Sequence, residues 1–304
     1  MRILVAILWI TGSAYLGAAE IEFIRDARFE HGFRAIAPEA GKRRVLGFLP
    51  GVVSGGEAAW DLDQWHSRFP LGAGASTRTR SRHTHTNLAK WVSTRRGVLT
   101  LGVDSRVEYE NRLRTSAAEP WVHLLVEQPL THSPRLSEMS SLRLRLAARL
   151  IESETFRPAG YTRELHAAQF QLVVTLGNTR ATSPGFGDFL WLVVPLYDDR
   201  HAQPPRYVSR DFADPSAKLI YNPGTDAFTT RRLRDGGWVR IDRDLLPLAR
   251  EALSEAWRLG YLPGSKDWAD YQLTTINIGW EVPGLNRVAI ALRNLSLRAA
   301  TSEP

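Results

Sequence analysis

The sequence contains no cysteine among its 304 residues. Disulfide bonds, thiol catalysis and thiolate zinc sites are therefore excluded. No apolar stretch approaches the roughly 20 consecutive residues that a membrane-spanning helix needs. Phosphate-binding glycine loops, dinucleotide fingerprints and the G-x-S-x-G nucleophile motif are also absent. These absences leave a globular protein, and the chain is long enough to bury a hydrophobic core without covalent cross-links.

The first 19 residues have the pattern of a secretory signal peptide. A positive residue, Arg2, precedes an apolar run over residues 3–10, and small residues occupy positions 17–19. We expect residues 1–19 to be removed and residues 20–304 to fold as a single β-sandwich domain. A secreted or periplasmic location is therefore predicted, with no membrane span.

The charge is basic, with a formal value of +7 and an isoelectric point near 10.0. Most of the excess is arginine spread along the chain, and no motif of an RNA- or DNA-binding protein occurs. On an exported protein, such charge favours an acidic polysaccharide as a partner over nucleic acid. The polar segment 72–87 contains the densest run of charge and predicts a long mobile loop.

Polar and apolar residues alternate in several segments, and a period of two predicts β-strands. Further short runs of the same kind, without β-α-β alternation, predict an all-β fold, a jelly-roll β-sandwich with one late α-helix. The helix should begin after Asp244, carry Pro247 in its first turn and end at Gly260. Its apolar stripe at helical spacing is Leu245, Leu248, Ala252, Ala256 and Leu259. The clearest strand segments are residues 122–128, 169–176, 189–197 and 273–282.

Because successive side chains on a strand point to opposite faces, every second residue faces the core and the residues between them face outward. An outer sheet face that bears amides, aromatic rings and carboxylates is suited to a sugar-binding cleft, and an ordinary solvated surface is the alternative. The residues predicted to face the core are Phe170, Leu172, Val174, Leu176, Ile276, Ile278 and Trp280. The residues predicted on the opposite face are His123, Glu127, Gln169, Gln171, Thr175, Trp191, Tyr197, Asn277 and Glu281.

Paired carboxylates on one face are the minimum that glycoside hydrolysis requires. Glu281 and Glu127 are the first predicted catalytic pair, because apolar strands could raise one pKa into the range of a general acid. Asp188 is the first reserve partner, and Asp198 and Asp199 are further reserves. Arg200, which follows two aspartates, either closes a turn through an Asp–Arg ion pair or binds a uronate carboxylate in a bidentate manner.

Sugar binding also needs aromatic platforms and hydrogen-bonding side chains. The predicted substrate-binding residues are His123, Gln171, Trp191, Tyr197, Arg200 and Asn277.

No cofactor is predicted. His83 and His85 lack a third ligand at a suitable spacing, so they are read as loop histidines. Asp61 and Asp63 leave a structural calcium site open.

The C-terminal part, residues 187–298, resembles secreted carbohydrate-active β-sandwich proteins. The segment Gly187–Leu192 is similar to the nucleophile strand of family-twelve glycoside hydrolases, in which an acid precedes an apolar run containing tryptophan. Here the acid is Asp188 where that family has glutamate, and its spacing to tryptophan differs by one residue. The segment Gly279–Gly284 then resembles the strand that bears the acid/base, which implies that role for Glu281.

The same ending also resembles galactose-binding-like modules, which have no catalytic role. Jelly-roll polysaccharide lyases are a third relative, and a lyase would use His123, Tyr197 and Arg200 on an acidic polymer. The sequence thus favours a polysaccharide-acting glycoside hydrolase, with a non-catalytic carbohydrate-binding module and a lyase as alternatives. The sugar, the linkage and the oligomeric state stay open.

Overall fold

A computed structural model describes residues 20–72, 76–79, 82–211 and 218–301, with the backbone alone at 76–79. The predicted signal peptide lies outside these residues. Seventeen strands are present, in the order β1 (Glu20–Glu22), β2 (Phe33–Ile36), β3 (Val45–Leu49), β4 (Trp60–Asp63), β5 (Ser76–Thr79), β6 (Arg82–Thr86), β7 (Lys90–Arg95), β8 (Val98–Asp104), β9 (Val122–Pro129), β10 (Met139–Thr155), β11 (Gln169–Asn178), β12 (Phe189–Asp198), β13 (Tyr207–Arg210), β14 (Leu219–Asn222), β15 (Val239–Asp244), β16 (Tyr271–Val282) and β17 (Asn286–Thr301).

The strands form two sheets that pack around a shared hydrophobic core. The smaller sheet has the order β15-β10-β17-β8-β7-β6-β5, with β1 paired to β17. The larger sheet has the order β13-β14-β12-β11-β16-β9-β4-β2-β3. This arrangement confirms the predicted jelly-roll β-sandwich.

The predicted interior face is also confirmed, because Phe170, Ile278 and the other residues assigned to it are fully buried. Trp280 shows how the two layers are joined. Its indole Nε1 donates to the carbonyl oxygen of Leu101 in the smaller sheet at 3.0 Å, and its ring packs edge-on against Phe170. The alternation in β11 and β16 therefore placed the core correctly.

The late helix, α2 (Leu246–Arg258), follows β15 as predicted, and Asp244 accepts a hydrogen bond from the backbone N–H of Leu246 at 3.0 Å. Leu259, expected in its apolar stripe, is 43% exposed and lies beyond the helix end. A second helix that the sequence analysis did not predict, α1 (Ser105–Tyr109), has only five residues. Three short 3-10 helices span Thr225–Ala227, Leu233–Asp235 and Trp268–Asp270.

The prediction of a mobile loop over residues 72–87 is wrong where β5 and β6 form a hairpin that joins β7. Buried and more exposed residues alternate in β6 as in any strand with one buried face. The buried ones are histidines, so the alternation does not appear as an alternation of apolar and polar residues. His83 and His85 stack with ring centroids 4.5 Å apart, and their nitrogens lie 3.0 and 2.9 Å from the carbonyl oxygens of Gly51 and Pro50. Among the described residues, no helix combines the length and apolar character needed to cross a membrane.

Candidate functional site

The outer faces of the two sheets differ in their exposure to solvent. On the smaller sheet, Arg143, Arg145 and Arg149 of β10 are exposed. On the larger sheet, every residue of β4, β9, β11, β12 and β16 is buried or only partly exposed, including the outward-facing ones. The outward side chains of these central strands are therefore partly sheltered from solvent, although residues of the edge strands β3 and β13 are exposed. We call this outer face the cleft below.

Glu281 lies at one end of the cleft, opposite His123 of β9 and Gln169 of β11. Gln171 Nε2 donates to its Oε1 at 2.6 Å, and Trp121 Nε1 donates to its Oε2 at 3.1 Å. Burial disfavours the charged form, but these donors and His123 outweigh it and hold the pKa of Glu281 below its usual range. Because the side chain keeps 22% of its surface exposed, a charged acceptor is presented to the cleft.

Aromatic rings form one wall beside Glu281. The His123 ring lies 5.3 Å from Trp65, 5.7 Å from Trp121 and 6.1 Å from His66, centroid to centroid. The turn after β4 is tied to β9, since the His123 N–H donates to the carbonyl oxygen of Trp65 at 3.0 Å. Trp65 and Trp121 are partly exposed. Such rings combine apolar area with a polar edge, as sugar stacking requires.

A pocket on the other side of Glu281 is built by β11, β12, β13 and β14. Asp198 accepts from Gln169 Nε2 at 3.0 Å and from two nitrogens of Arg200 at 2.9 and 2.7 Å. Burial opposes ionisation, yet Arg200 holds the pKa of Asp198 below its usual range. Although Tyr207 is 37% exposed overall, desolvation of its hydroxyl and the charge of Glu281 raise its pKa to about 12. The side chains that converge here are Gln169, Gln171, Asp198, Arg200, Tyr207 and Asn222.

The structure brings four predicted residues to this end of the cleft: Glu281, His123, Gln171 and Arg200. The guanidinium of Arg200 is engaged by Asp198, which is the ion-pair alternative that the sequence left open. Asp198, one of the three reserve carboxylates, also lies here, whereas Tyr207 and Asn222 were not predicted. The strands β13 and β14 are four residues each, which is too short for alternation to show which side chains face the cleft.

The structure separates Glu281 from its two predicted catalytic partners. Glu127 pairs with Asn277, four residues from Glu281 along β16, or about 13 Å at the rise of a strand. Its carboxylate accepts from Arg43 Nη1 at 2.9 Å. Asp188 precedes the opposite end of β12, about 30 Å away by strand register, and lies 3.2 Å from Lys218 Nζ. Asp188 is too far from Glu281 for the carboxylate spacing of a glycosidase, and Glu127 is displaced by four strand residues and bound by Arg43.

The predicted orientation of Tyr197 is wrong. Tyr197 pairs with Phe170, but the next residue of β11, Gln171, pairs with Pro195, so Leu196 is an extra residue that reverses the parity. Tyr197 is only 4% exposed, and its hydroxyl lies 2.5 Å from Ser153 Oγ of the smaller sheet. Pro195 within the strand was the available signal, because proline in a strand interior marks irregular pairing.

Two other predicted binding residues lie on the outer face, away from Glu281. Trp191 pairs with Thr175 and packs edge-on against Phe189 at 5.0 Å, roughly 20 Å along β11 from Gln169. Asn277 instead contacts the Glu127 carboxylate and lowers its pKa, although burial raises that pKa overall.

A second group of carboxylates, Asp61, Asp63 and Glu127, lies on β4 and β9. Asp61 accepts from Arg34 Nε at 2.6 Å and contacts Arg43. Asp63 is 2% exposed, and its Oδ2 has no hydrogen-bond partner among the described residues. Burial, together with the charge of Glu127, raises the pKa of Asp63 to about 7. The described residues contain no group of three or more histidine or acidic side chains placed to hold a metal ion.

No protein-family model and no curated protein matches the sequence. Solved structures with a similar fold include an endoglucanase Cel12A from Rhodothermus marinus, at 11% identity and a TM-score of 0.40, covering 75% of this chain and 100% of that one. A native endo-1,4-β-glucanase CelB2 has 11% identity and a TM-score of 0.44, covering 80% and 93%. A family 12 xyloglucanase from Bacillus licheniformis has 9% identity and a TM-score of 0.42, covering 74% and 99%. The predicted likeness to family-twelve glycoside hydrolases is thus found as a weak similarity of fold, and it assigns no role to any residue here.

Proposed function

We propose that this protein is an exported carbohydrate-binding domain that holds a polysaccharide in the cleft. The observation that carries the proposal is the charged Glu281 carboxylate, presented between the Trp65–Trp121 wall and the Gln169–Tyr207 pocket. A carboxylate accepts hydrogen bonds from sugar hydroxyls, and the indole faces pack against the apolar faces of sugar rings. The signal-peptide pattern supports export.

A binding role fits the ionisation of the site better than hydrolysis does. A glycosidase needs one carboxyl group that stays protonated to donate to the leaving oxygen. At this end of the cleft, hydrogen bonds and Arg200 lower the pKa of both Glu281 and Asp198. The carboxyls with raised pKa, Asp63 and Glu127, lie instead in the arginine-bound group on β4 and β9.

Hydrolysis by Glu281 and Asp198 is the second candidate. Both pair with Gln169, so they lie in register on the two strands that flank β11. Their backbones are therefore about 10 Å apart on the same face, which is compatible with the wider carboxylate spacing of inverting enzymes. A lyase has less support, because Tyr197, one of the three residues that it would use, faces the core.

Replacing Glu281 by alanine tests the proposal on purified residues 20–304. We expect retention on neutral polysaccharide gels to weaken about tenfold, since hydrogen bonds to a charged group are lost. Asp188→Asn, at the far end of the same sheet, is the matched control and should leave retention unchanged.

If the wild-type protein released reducing ends from a polysaccharide and Glu281→Ala did not, the protein would be a hydrolase and not a binding domain. A gain of absorbance from unsaturated uronides would support a lyase instead. Retention that is absent, or equal for wild type and Glu281→Ala, would overturn the assignment of Glu281 to the binding site.

A further inference from the structure

The outer face of the smaller sheet is rich in arginine, and most of that charge is neutralised locally. Arg143 donates to Asp242 at 2.5 and 3.0 Å, and Arg145 lies 3.3 Å from the same carboxylate. Arg298 pairs with Glu22 at 3.0 Å and with Glu20. Local ion pairs of this kind leave little net charge for a ligand.

One part of that face is different, and we call it the Trp238 cluster: Trp238, Arg149, Arg240 and Arg293. By strand register, Arg240 of β15 and Arg293 of β17 lie on either side of Ala147 in β10. The guanidinium carbon of Arg293 lies 4.1 Å from the centre of the Trp238 ring, and that of Arg149 lies 5.6 Å away. Stacking on an indole restrains a guanidinium but does not neutralise its charge.

The three arginines of the Trp238 cluster form no ion pair with any carboxylate of the described residues, in contrast to Arg143, Arg145 and Arg298. In the same part of the chain they donate no side-chain hydrogen bond, and the buried Nε of Arg293 has no partner. Each guanidinium carries five N–H donors, so the cluster concentrates unused donors and uncompensated positive charge. The small side chains of Ala147 and Ala291 lie between the arginines.

We infer that the Trp238 cluster is a binding site for the carboxylate groups of an acidic polysaccharide. A guanidinium group can bind a carboxylate through two parallel hydrogen bonds. Because the indole ring already restrains the guanidinium, less side-chain entropy is lost on binding. Nucleic acid fits less well, because duplex DNA carries a charge about every 1.7 Å. Closely spaced phosphates would also lie against the carboxylates of Asp242 and Glu22 on the same face and would be repelled by them. A uronate polymer carries only one charge per sugar.

This site is independent of the proposed function of the cleft, since it lies on the outer face of the other sheet. The two assignments can therefore fail separately. Loss of binding through the cluster should not depend on Glu281, and Glu281→Ala should leave the cluster intact.

The test is calorimetric binding of hexagalacturonate, at low ionic strength, to purified residues 20–304. We expect Arg293→Gln and Arg149→Gln each to weaken binding about tenfold or more, because charge-assisted hydrogen bonds are lost. Arg143→Gln is the matched control, since it removes the same charge from the same face but from an existing ion pair. It should weaken binding by no more than about threefold.

Further arms decide between outcomes. Arg293→Lys keeps the charge without the fork, and a loss close to that of Arg293→Gln supports bidentate recognition. Equal losses for Arg143→Gln and Arg293→Gln would show diffuse attraction and overturn the site. The site would also be overturned if hexagalacturonate did not bind, or if Arg149→Gln and Arg293→Gln bound it with unchanged affinity. Duplex DNA that bound more tightly than hexagalacturonate, and whose binding was lost in the same two variants, would overturn it as well.

Discussion

Replacing Lys90 by methionine should lower the free energy of unfolding by about 3–5 kcal/mol, because it leaves the buried carboxylate of Glu108 without its counter-ion. Both side chains are fully buried, and the Lys90 Nζ contacts Glu108 Oε1. Lys90 also donates to Ser67 Oγ at 2.5 Å. Lys90 comes from β7 and Glu108 from α1, so the pair joins this short helix to the strand that precedes β8. The measurement is the urea dependence of unfolding.

A double variant separates charge burial from lost packing. Lys90→Met with Glu108→Leu removes both charges, and we expect it to recover most of the stability lost in the single variant. Arg258→Ala breaks an exposed ion pair within α2 and should cost less than about 1 kcal/mol. If Lys90→Met were as mild as Arg258→Ala, the buried pair would not hold the fold together as described.

The same pair also positions one wall of the cleft. Glu108 accepts from the Ser67 hydroxyl at 2.9 Å and from the backbone N–H of Arg68 at 2.7 Å. These residues belong to the turn that carries Trp65. Weakening this anchor should therefore reduce polysaccharide retention under conditions in which the variant is still folded.

Replacing Asp63 by asparagine should stabilise the protein by about 2–4 kcal/mol at pH 8 and by little at pH 4. The pKa of Asp63 is raised from 3.8 to about 7 in the folded state. Between these values the folded chain keeps a proton that the unfolded chain releases. The contribution of the neutral group is thus complete below pH 4 and is lost as the pH rises through 7. Asparagine keeps the shape and removes the charge.

Unfolding in urea at several pH values, wild type against Asp63→Asn, measures this difference. Asp61→Asn is the control, because Asp61 is as buried on the same strand but is bound by Arg34 and Arg43. It should destabilise the protein at neutral pH, since the arginines lose their partner. Parallel pH curves for wild type and Asp63→Asn would contradict the raised pKa.

Local pattern alone accounts for much of the architecture. Alternation along β11 and β16 specified which residues face the core, because side chains on a strand change face at every residue whatever surrounds it. The capping aspartate and the apolar stripe located α2 for the same local reason. The pattern of β6 was present too, but its inward positions are histidines, and their polarity was read as a sign of a loop.

Tertiary structure alone decided which residues meet at the site. The partners of Glu281 come from β9, β11 and the segment before β9, and strand register moved Glu127 and Asp188 away from it. A single extra residue in β12 turned Tyr197 inward. Register, bulges and the pairing of charges arise from contacts between segments far apart in the chain. The sequence determined the sheets and their faces. The folded chain decided which carboxylates have an arginine partner, because that depends on which segments lie beside them.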